Sequence, residues 1–351
     1  MSEHPYRMMP DTAFWSRSVT ENFSLTSLVS GNEPVLTETD RVMSVGSCFA
    51  SHLVTWIEAA GLTYVRTEPP HDSFRDLPEN LGYRGFSAAY GNLYTPRQIL
   101  QLLERCLGTF VPEEDRWHIN GQVIDPFRPG LRYPALSDGE FDALTRQHLD
   151  ATLAAFRQAT VLVVTLGLTE AWAYRNDGAV YPAVPGAIAG TFDPAKYEFV
   201  NYTYAQVEDD LTRFILLLRT QNPEIRIVLT VSPVPLVATA TGDHVLVATT
   251  YSKSVLRAAA GAVENALTLT RYFPAYEIIT GPQSPYDYME EDRRNVSEKG
   301  VSAVMTTLLE SSSLPTSAPR RNENPVNIRP ETSVLSALIT MAECEEVMLE
   351  G

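Results

Sequence analysis

Val42-Met43-Ser44-Val45-Gly46-Ser47-Cys48-Phe49-Ala50 is the stretch on which the fold turns. Four residues suited to a buried strand end at a glycine, and the segment to Ala60 then carries Phe49, Leu53, Trp56 and Ile57 at helical spacing before Gly61 closes it. This predicts a strand, a tight turn and a helix. Similar units follow along the chain. A helix is predicted from about Phe141 to Gln158 before a strand Thr160 to Leu166, and another from about Tyr204 to Thr220 before Ile225 to Val231. A third runs from about Ser252 to Ala266 before a strand Tyr276 to Ile279. Short apolar runs alternating with amphipathic helices imply an α/β fold, three layers deep, with a mainly parallel sheet.

Around this repeat lie less regular segments. Residues 1–40 read as an N-terminal arm over the core, and 41–310 as the domain proper. Thr67 to Pro96 and Asp115 to Pro134 are rich in Pro, Gly, Asn and aromatics, and insertions of that length are expected to be lids or binding loops. Residues 311–332 are mostly Ser, Pro, Asn and Arg and read as a flexible linker. Beyond them, 333–351 place Val334, Leu335, Leu338, Ile339, Met341 and Met348 on one face of a terminal helix, which either docks on the domain or meets a protein partner.

A formal net charge of −16 over 351 residues disfavours nucleic acid and anionic membranes as partners. Met1 to Arg7 shows no apolar run behind a basic segment, and the longest purely apolar stretch, Phe214 to Leu218, is too short for a bilayer, so the expected setting is cytoplasmic. The three cysteines, Cys48, Cys106 and Cys344, form no C-x-x-C pair and are expected to be reduced. Neither a phosphate loop nor a metal-ligand cluster nor a dinucleotide fingerprint is seen, so no cofactor is expected.

In parallel sheets ligands bind beyond the carboxyl ends of the strands. Three turns occupy such places: Gly46-Ser47-Cys48, Gly167-Leu168-Thr169-Glu170 and Ser232-Pro233-Val234-Pro235, and they are expected at one common edge.

Val45-Gly46-Ser47-Cys48-Phe49-Ala50 resembles the motif that names the GSCFA family, a branch of the SGNH or GDSL-type hydrolases. Further segments are similar to that family in the same order: Tyr90-Gly91-Asn92-Leu93-Tyr94-Thr95, Thr165-Leu166-Gly167, Phe199-Val200-Asn201-Tyr202, the segment from Thr230 to Pro235, Tyr251-Ser252-Lys253-Ser254-Val255-Leu256-Arg257 and Tyr272-Phe273-Pro274-Ala275-Tyr276-Glu277. The resemblance implies acyl-ester hydrolysis or acyl transfer, often on carbohydrate, by a nucleophile, a His base, an orienting Asp and an oxyanion site.

Aligned without a gap, the turn sets Cys48 at the nucleophile position, whereas a one-residue slip sets Ser47 there. Gly46, Gly91, Asn92 and Gly167 then correspond to oxyanion positions, Thr169 and Glu170 stand where the scheme has Asn-Asp, and Ser232 follows the third strand. The last block departs most, since Asp292-Arg293-Arg294-Asn295 carries Asn where the scheme has His, and an amide takes no proton in turnover. His244 is the favoured substitute, with His71 and His52 as alternatives. An esterase or acyltransferase acting on a small or glycan substrate, a degenerate fold that binds such a ligand, and an interaction protein all follow from these residues.

Overall fold

The computed structural model describes residues 4–31, 33–68, 85–129, 131 and 134–316; within these, the side chain of Cys48 lies outside the description, as do His71, Cys344 and the expected terminal helix. Strand β1 (Arg41–Gly46) leads through a 3₁₀ turn, Cys48–Ala50, into α1 (Ser51–Ala59) and the short β2 (Thr63–Tyr64). Helix α2 (Pro96–Cys106), the hairpin β3 (Trp117–Ile119) and β4 (Gln122–Ile124), and α3 (Asp138–Gln158) come next. Then β5 (Val161–Leu166) is followed after three residues by β6 (Glu170–Tyr174), with β7 (Val180–Tyr181) and β8 (Tyr197–Asn201) beyond it. The chain finishes with α4 (Tyr204–Gln221), β9 (Arg226–Val231), α5 (Val245–Ala266), β10 (Thr270–Tyr272), α6 (Ala275–Thr280) and α7 (Glu298–Glu310).

The central sheet has the order β10-β9-β5-β1-β2 with every pair parallel. Its strands bury both faces, which explains their largely apolar runs without strict alternation. Alternate residues point to opposite layers. Met43, Val45, Leu162, Val164, Ile227 and Leu229 pack on one side against α2, α3, α4 and α5. Val42, Val161, Val163 and Val228 pack on the other against α1, α6 and α7. A helix layer on each face of a parallel sheet is the three-layer α/β architecture read from the sequence.

Some elements differ from that reading. Tyr276 to Ile279 is helical in α6, and the edge strand is the three residues of β10 just upstream. The four residues Tyr276-Glu277-Ile278-Ile279 fit either period, and here Pro274 at the N-cap opens a helix. Helix α5 begins seven residues before Ser252, at the His244 cap. Helix α2, with a Thr95–Gln98 capping box and Pro96 in its first turn, lies between the two irregular segments and has no counterpart among the expected helices. The described part of the first insertion is no exposed lid, for Ala88, Ala89, Tyr90, Leu93 and Tyr94 are all buried. A buried charged cluster backs it: Glu68 Oε2 accepts from Ala89 N at 2.7 Å and meets His148 Nδ1 at 2.6 Å, and Arg128 Nε donates to Asp125 at 2.8 Å.

Val35 and Leu36 of the arm are buried, and Leu36 N donates to Ser312 Oγ at 3.0 Å. Leu314 is buried in the same layer, so the first residues of the expected linker belong to the domain. A cut after Ser311 removes Leu314 and the Ser312 contact, and should lose on the order of 2–3 kcal/mol in chemical denaturation.

The buried cluster also predicts a pH effect. Burial, with Arg128 beside it, holds His148 below its ordinary pKa, so the native state keeps it neutral while the unfolded chain takes up a proton below about pH 6.5. Stability from this residue is present above that pH and is lost as pH falls. Urea titrations between pH 7 and 5 should show the loss in the wild-type chain and a flatter profile in His148→Gln.

Candidate functional site

Taken in chain order, the five parallel strands lie second, first, third, fourth, fifth across the sheet, so the winding reverses between β1 and β5. Crevices open at the carboxyl ends of strands at such a reversal. Gly46 pairs with Thr165 and Leu166 with Val231, which brings the three sequence-expected turns to one edge.

Gly46 is dictated by contact. Its φ is +138°, and a Cβ there would stand 2.2 Å from the Thr165 carbonyl oxygen. Directly after it, Ser47 N donates to the same oxygen at 3.2 Å, and Ala50 N donates to Ser47 O at 2.8 Å to start the helical turn. The segment Tyr90 to Thr95 lies across this corner. Tyr90 Oη donates to Ser44 O at 2.5 Å, Leu93 N donates to Gly46 O at 2.8 Å, and Tyr94 O accepts from Gly167 N at 3.0 Å and Leu168 N at 2.9 Å. Gly91, with φ of +67°, and the buried Asn92 are thereby carried to the reversal point. A Cβ on Gly167 would stand 3.1 Å from Tyr94 O and 3.2 Å from Ser47 Cβ. Gly46, Ser47, Asn92 and Gly167 are one assembly.

Helix α5 supplies two residues not among the sequence candidates. Ser252 Oγ accepts from Thr169 N at 3.0 Å, and Lys253 Nζ donates to Gly167 O at 2.7 Å. Both are fully buried. The signal was a lysine beside the apolar stripe of Val255, Leu256, Ala259 and Ala260, where a charge is rarely tolerated without a task.

Several implied roles find other employment in this geometry. Gly167 N–H is directed at Tyr94 O, and the Thr169 hydroxyl donates to Asn201 Oδ1 at 2.7 Å. Ser232 N donates to Leu166 O at 2.8 Å, and its hydroxyl accepts from Val234 N at 3.3 Å, so it shapes the turn after β9. Ser47 Oγ is buried and makes no hydrogen bond among the described residues, so none of them stands against it as a base. His244 is an exposed cap whose Nδ1 accepts from Leu246 N at 3.2 Å. It precedes Lys253 by nine residues, roughly 13 Å along the helix. His52 is exposed on α1, its ring in a T-shaped contact with Phe49 at 5.9 Å between centroids. Asp292 and Asn295 are exposed and satisfy each other, since Asp292 accepts from Asn295 Nδ2 at 2.5 Å and from the backbone N of Arg294 and Asn295 at 2.9 Å.

A cavity of about 310 Å³ opens beside the assembly, beyond Tyr94 and Leu168. Its walls include Trp172, Tyr181 and Phe199 from the antiparallel sheet β7-β6-β8, and Leu236 from the segment after β9. Glu170 lies in that wall, where burial raises its pKa despite hydrogen bonds from Thr239 Oγ1 at 2.8 Å and Ala240 N at 3.4 Å. Among the described residues no group of three or more His, Cys, Asp or Glu side chains is placed to hold a metal ion, and no helix is long and apolar enough to cross a membrane.

Fold and site together define a three-layer α/β protein with a glycine-serine-cysteine corner at the reversal of a parallel sheet. The chain belongs to the GSCFA family, whose model matches residues 41–308. None of the curated proteins matches it. Among solved structures it is similar to an acetyl esterase mutant with bound acetate, at 11% identity, 76% of this chain, 93% of that one and a TM-score of 0.33. It is also similar to a carbohydrate esterase family 2 enzyme with a carbohydrate-binding domain from Corynascus thermopiles (Myceliophthora fergusii), at 13% identity over 81% and 68% of the two chains with a TM-score of 0.28. An acetyl xylan esterase from the rumen bacterium Butyrivibrio proteoclasticus matches at 13% identity over 68% of this chain and 56% of its own, with a TM-score of 0.25.

Because a methyl group at Gly46 collides with backbone, side-chain rearrangement offers no relief. Gly46→Ala should lose on the order of 3 kcal/mol or fail to fold, as read by denaturant midpoint, whereas Gly61→Ala, with open space around its Cβ, should lose about 1 kcal/mol from φ alone.

Proposed function

We propose that this chain hydrolyses or transfers acyl groups of small or carbohydrate esters through Cys48. The observation that carries this reading is the corner itself, where a strand ends at the sheet's reversal point and the next residues enter a helical turn beside a buried ammonium. The first N–H groups of a helix and a nearby cation both favour an anionic sulfur. A serine hydroxyl needs a base to attack, and Ser47 Oγ has none among the described residues. A thiol depends on one far less.

In this scheme the thiol gives its proton to water, the thiolate attacks the ester carbonyl, the C–O bond breaks, and the leaving oxygen takes a proton back from water to depart as the alcohol, which leaves an acyl thioester. Water or an acceptor hydroxyl then releases the acyl group and restores the thiol. Ser47 serves through its backbone, tying the corner to Thr165 O. Lys253 holds the Gly167 carbonyl and so fixes the turn that packs against Ser47. Asp292, bonded to Asn295, is read here as a loop-forming residue and not as part of a triad, and the lower demand of sulfur for a base offsets this.

A second reading, a fold that binds such a ligand without turnover, draws support from the same mutually satisfied Asp292 and Asn295. Labelling separates the two. Burial pushes the Cys106 thiol up to about 12, so it should be inert to iodoacetamide at neutral pH while Cys48 is alkylated, as read by peptide mapping. Cys48→Ala should abolish hydrolysis of p-nitrophenyl esters, and Ser47→Ala should reduce it less. Full activity in Cys48→Ala with none in Ser47→Ala assigns the hydroxyl instead, and failure of every acyl and fluorophosphonate probe to label the chain favours the binding fold.

A further inference from the structure

The cavity beyond Tyr94 and Leu168 has a composition that the acyl chemistry does not explain. Its volume of about 310 Å³ is roughly twice that of an apolar cavity that takes benzene, so it suits a body of about two rings. The walls are aliphatic and aromatic, with Trp172, Tyr181 and Phe199 offering ring faces or edges. Into them is set one carboxyl, Glu170, gripped by Thr239 and Ala240. Among the described residues no Lys, Arg or His lies within ion-pairing distance of it, and only hydroxyl and amide donors offset its burial.

We infer that this cavity is a binding site for an organic amine with an aromatic or compact aliphatic body, its ammonium seated on Glu170. Three features agree. A buried carboxylate without a cation is costly, and an ammonium ligand supplies the missing charge. Aromatic walls attract cations through their ring faces. The chain's net charge of −16 draws cations toward the surface and repels the carboxylate analogues that would otherwise fit an apolar hole. A fatty or aromatic acid would set its own carboxylate near Glu170 and meet repulsion. The inference goes beyond the ester reading, because the ligand is bound here and no bond is made or broken.

The test uses the full chain and three ligands of one shape: 2-(2-naphthyl)ethylamine, 2-(2-naphthyl)ethanol and 2-naphthylacetate, titrated by calorimetry at pH 7. The amine should bind at least about tenfold more tightly than the carboxylate, the range expected for a hydrogen bond to a charged group. Glu170→Gln should weaken the amine by about tenfold and leave the alcohol within about twofold. Ala238→Trp, which fills the space, should abolish binding of all three. Equal or tighter binding of the carboxylate, an unchanged amine affinity in Glu170→Gln, or no binding of any ligand overturns the inference. Should Glu170→Gln not fold, the amine-over-carboxylate ratio in the wild-type chain decides alone. The readout is independent of Cys48, so loss of ester turnover and loss of amine binding remain separate results.

Discussion

The approach of Gly46 to the Thr165 carbonyl is the contact on which the rest of the arrangement depends. At that point β1 must leave the sheet while its neighbour β5 continues for one more paired residue, and the chain does so by turning across the neighbour's backbone. Only a residue without a Cβ can pass. The turn places Ser47 N on Thr165 O, starts the helical turn at Cys48–Ala50, and leaves Gly46 O to be taken by Leu93. A segment from the first insertion is thus fastened over the sheet edge by main-chain bonds, which hold their geometry whatever side chains occupy it.

The second constraint is charge in a closed space. Lys253 and, further from the site, Glu68, Asp125, Arg128 and His148 are buried together with their partners. Burial alone would raise the carboxyl pKa values of Glu68 and Asp125, yet the hydrogen bond from the neutral His148 ring and the Arg128 charge beside Glu68, and Arg128 with Arg105 near Asp125, bring both below the ordinary range. Such sets contribute little net stability against apolar substitutes, but breaking one member is costly because the others stay buried. They act here as fasteners: Glu68 holds Ala89 next to the Tyr90 to Thr95 segment, and Lys253 holds Gly167. The corner is rigid from both sides, and the cavity beside it is walled by the sheet that β6 begins three residues after β5 ends.

The amino-acid sequence by itself determined the central architecture and the position of the corner. Largely apolar runs such as Val161 to Leu166 permit burial on both faces, and amphipathic helices between them leave a parallel sheet as the solution. It also determined that Gly46, Gly167 and Ser232 end strands, since each follows its run directly. Short elements were beyond its reach: Tyr276 to Ile279 and the three residues of β10 carry too little periodicity to separate helix from strand. What only the tertiary structure decided is who meets whom. His244 follows a strand, as the favoured base should, but α5 starts early enough to make it an exposed cap and to bring Lys253 to the platform instead. Glu170 stands in the sequence where the scheme has Asp, and becomes a cavity carboxyl because β6 swings away from the main sheet and β8 returns beside it. Periodicity is a local property of the chain, whereas the partners of a buried charge are set by which distant segments pack against it, and no spacing along the sequence encodes that choice.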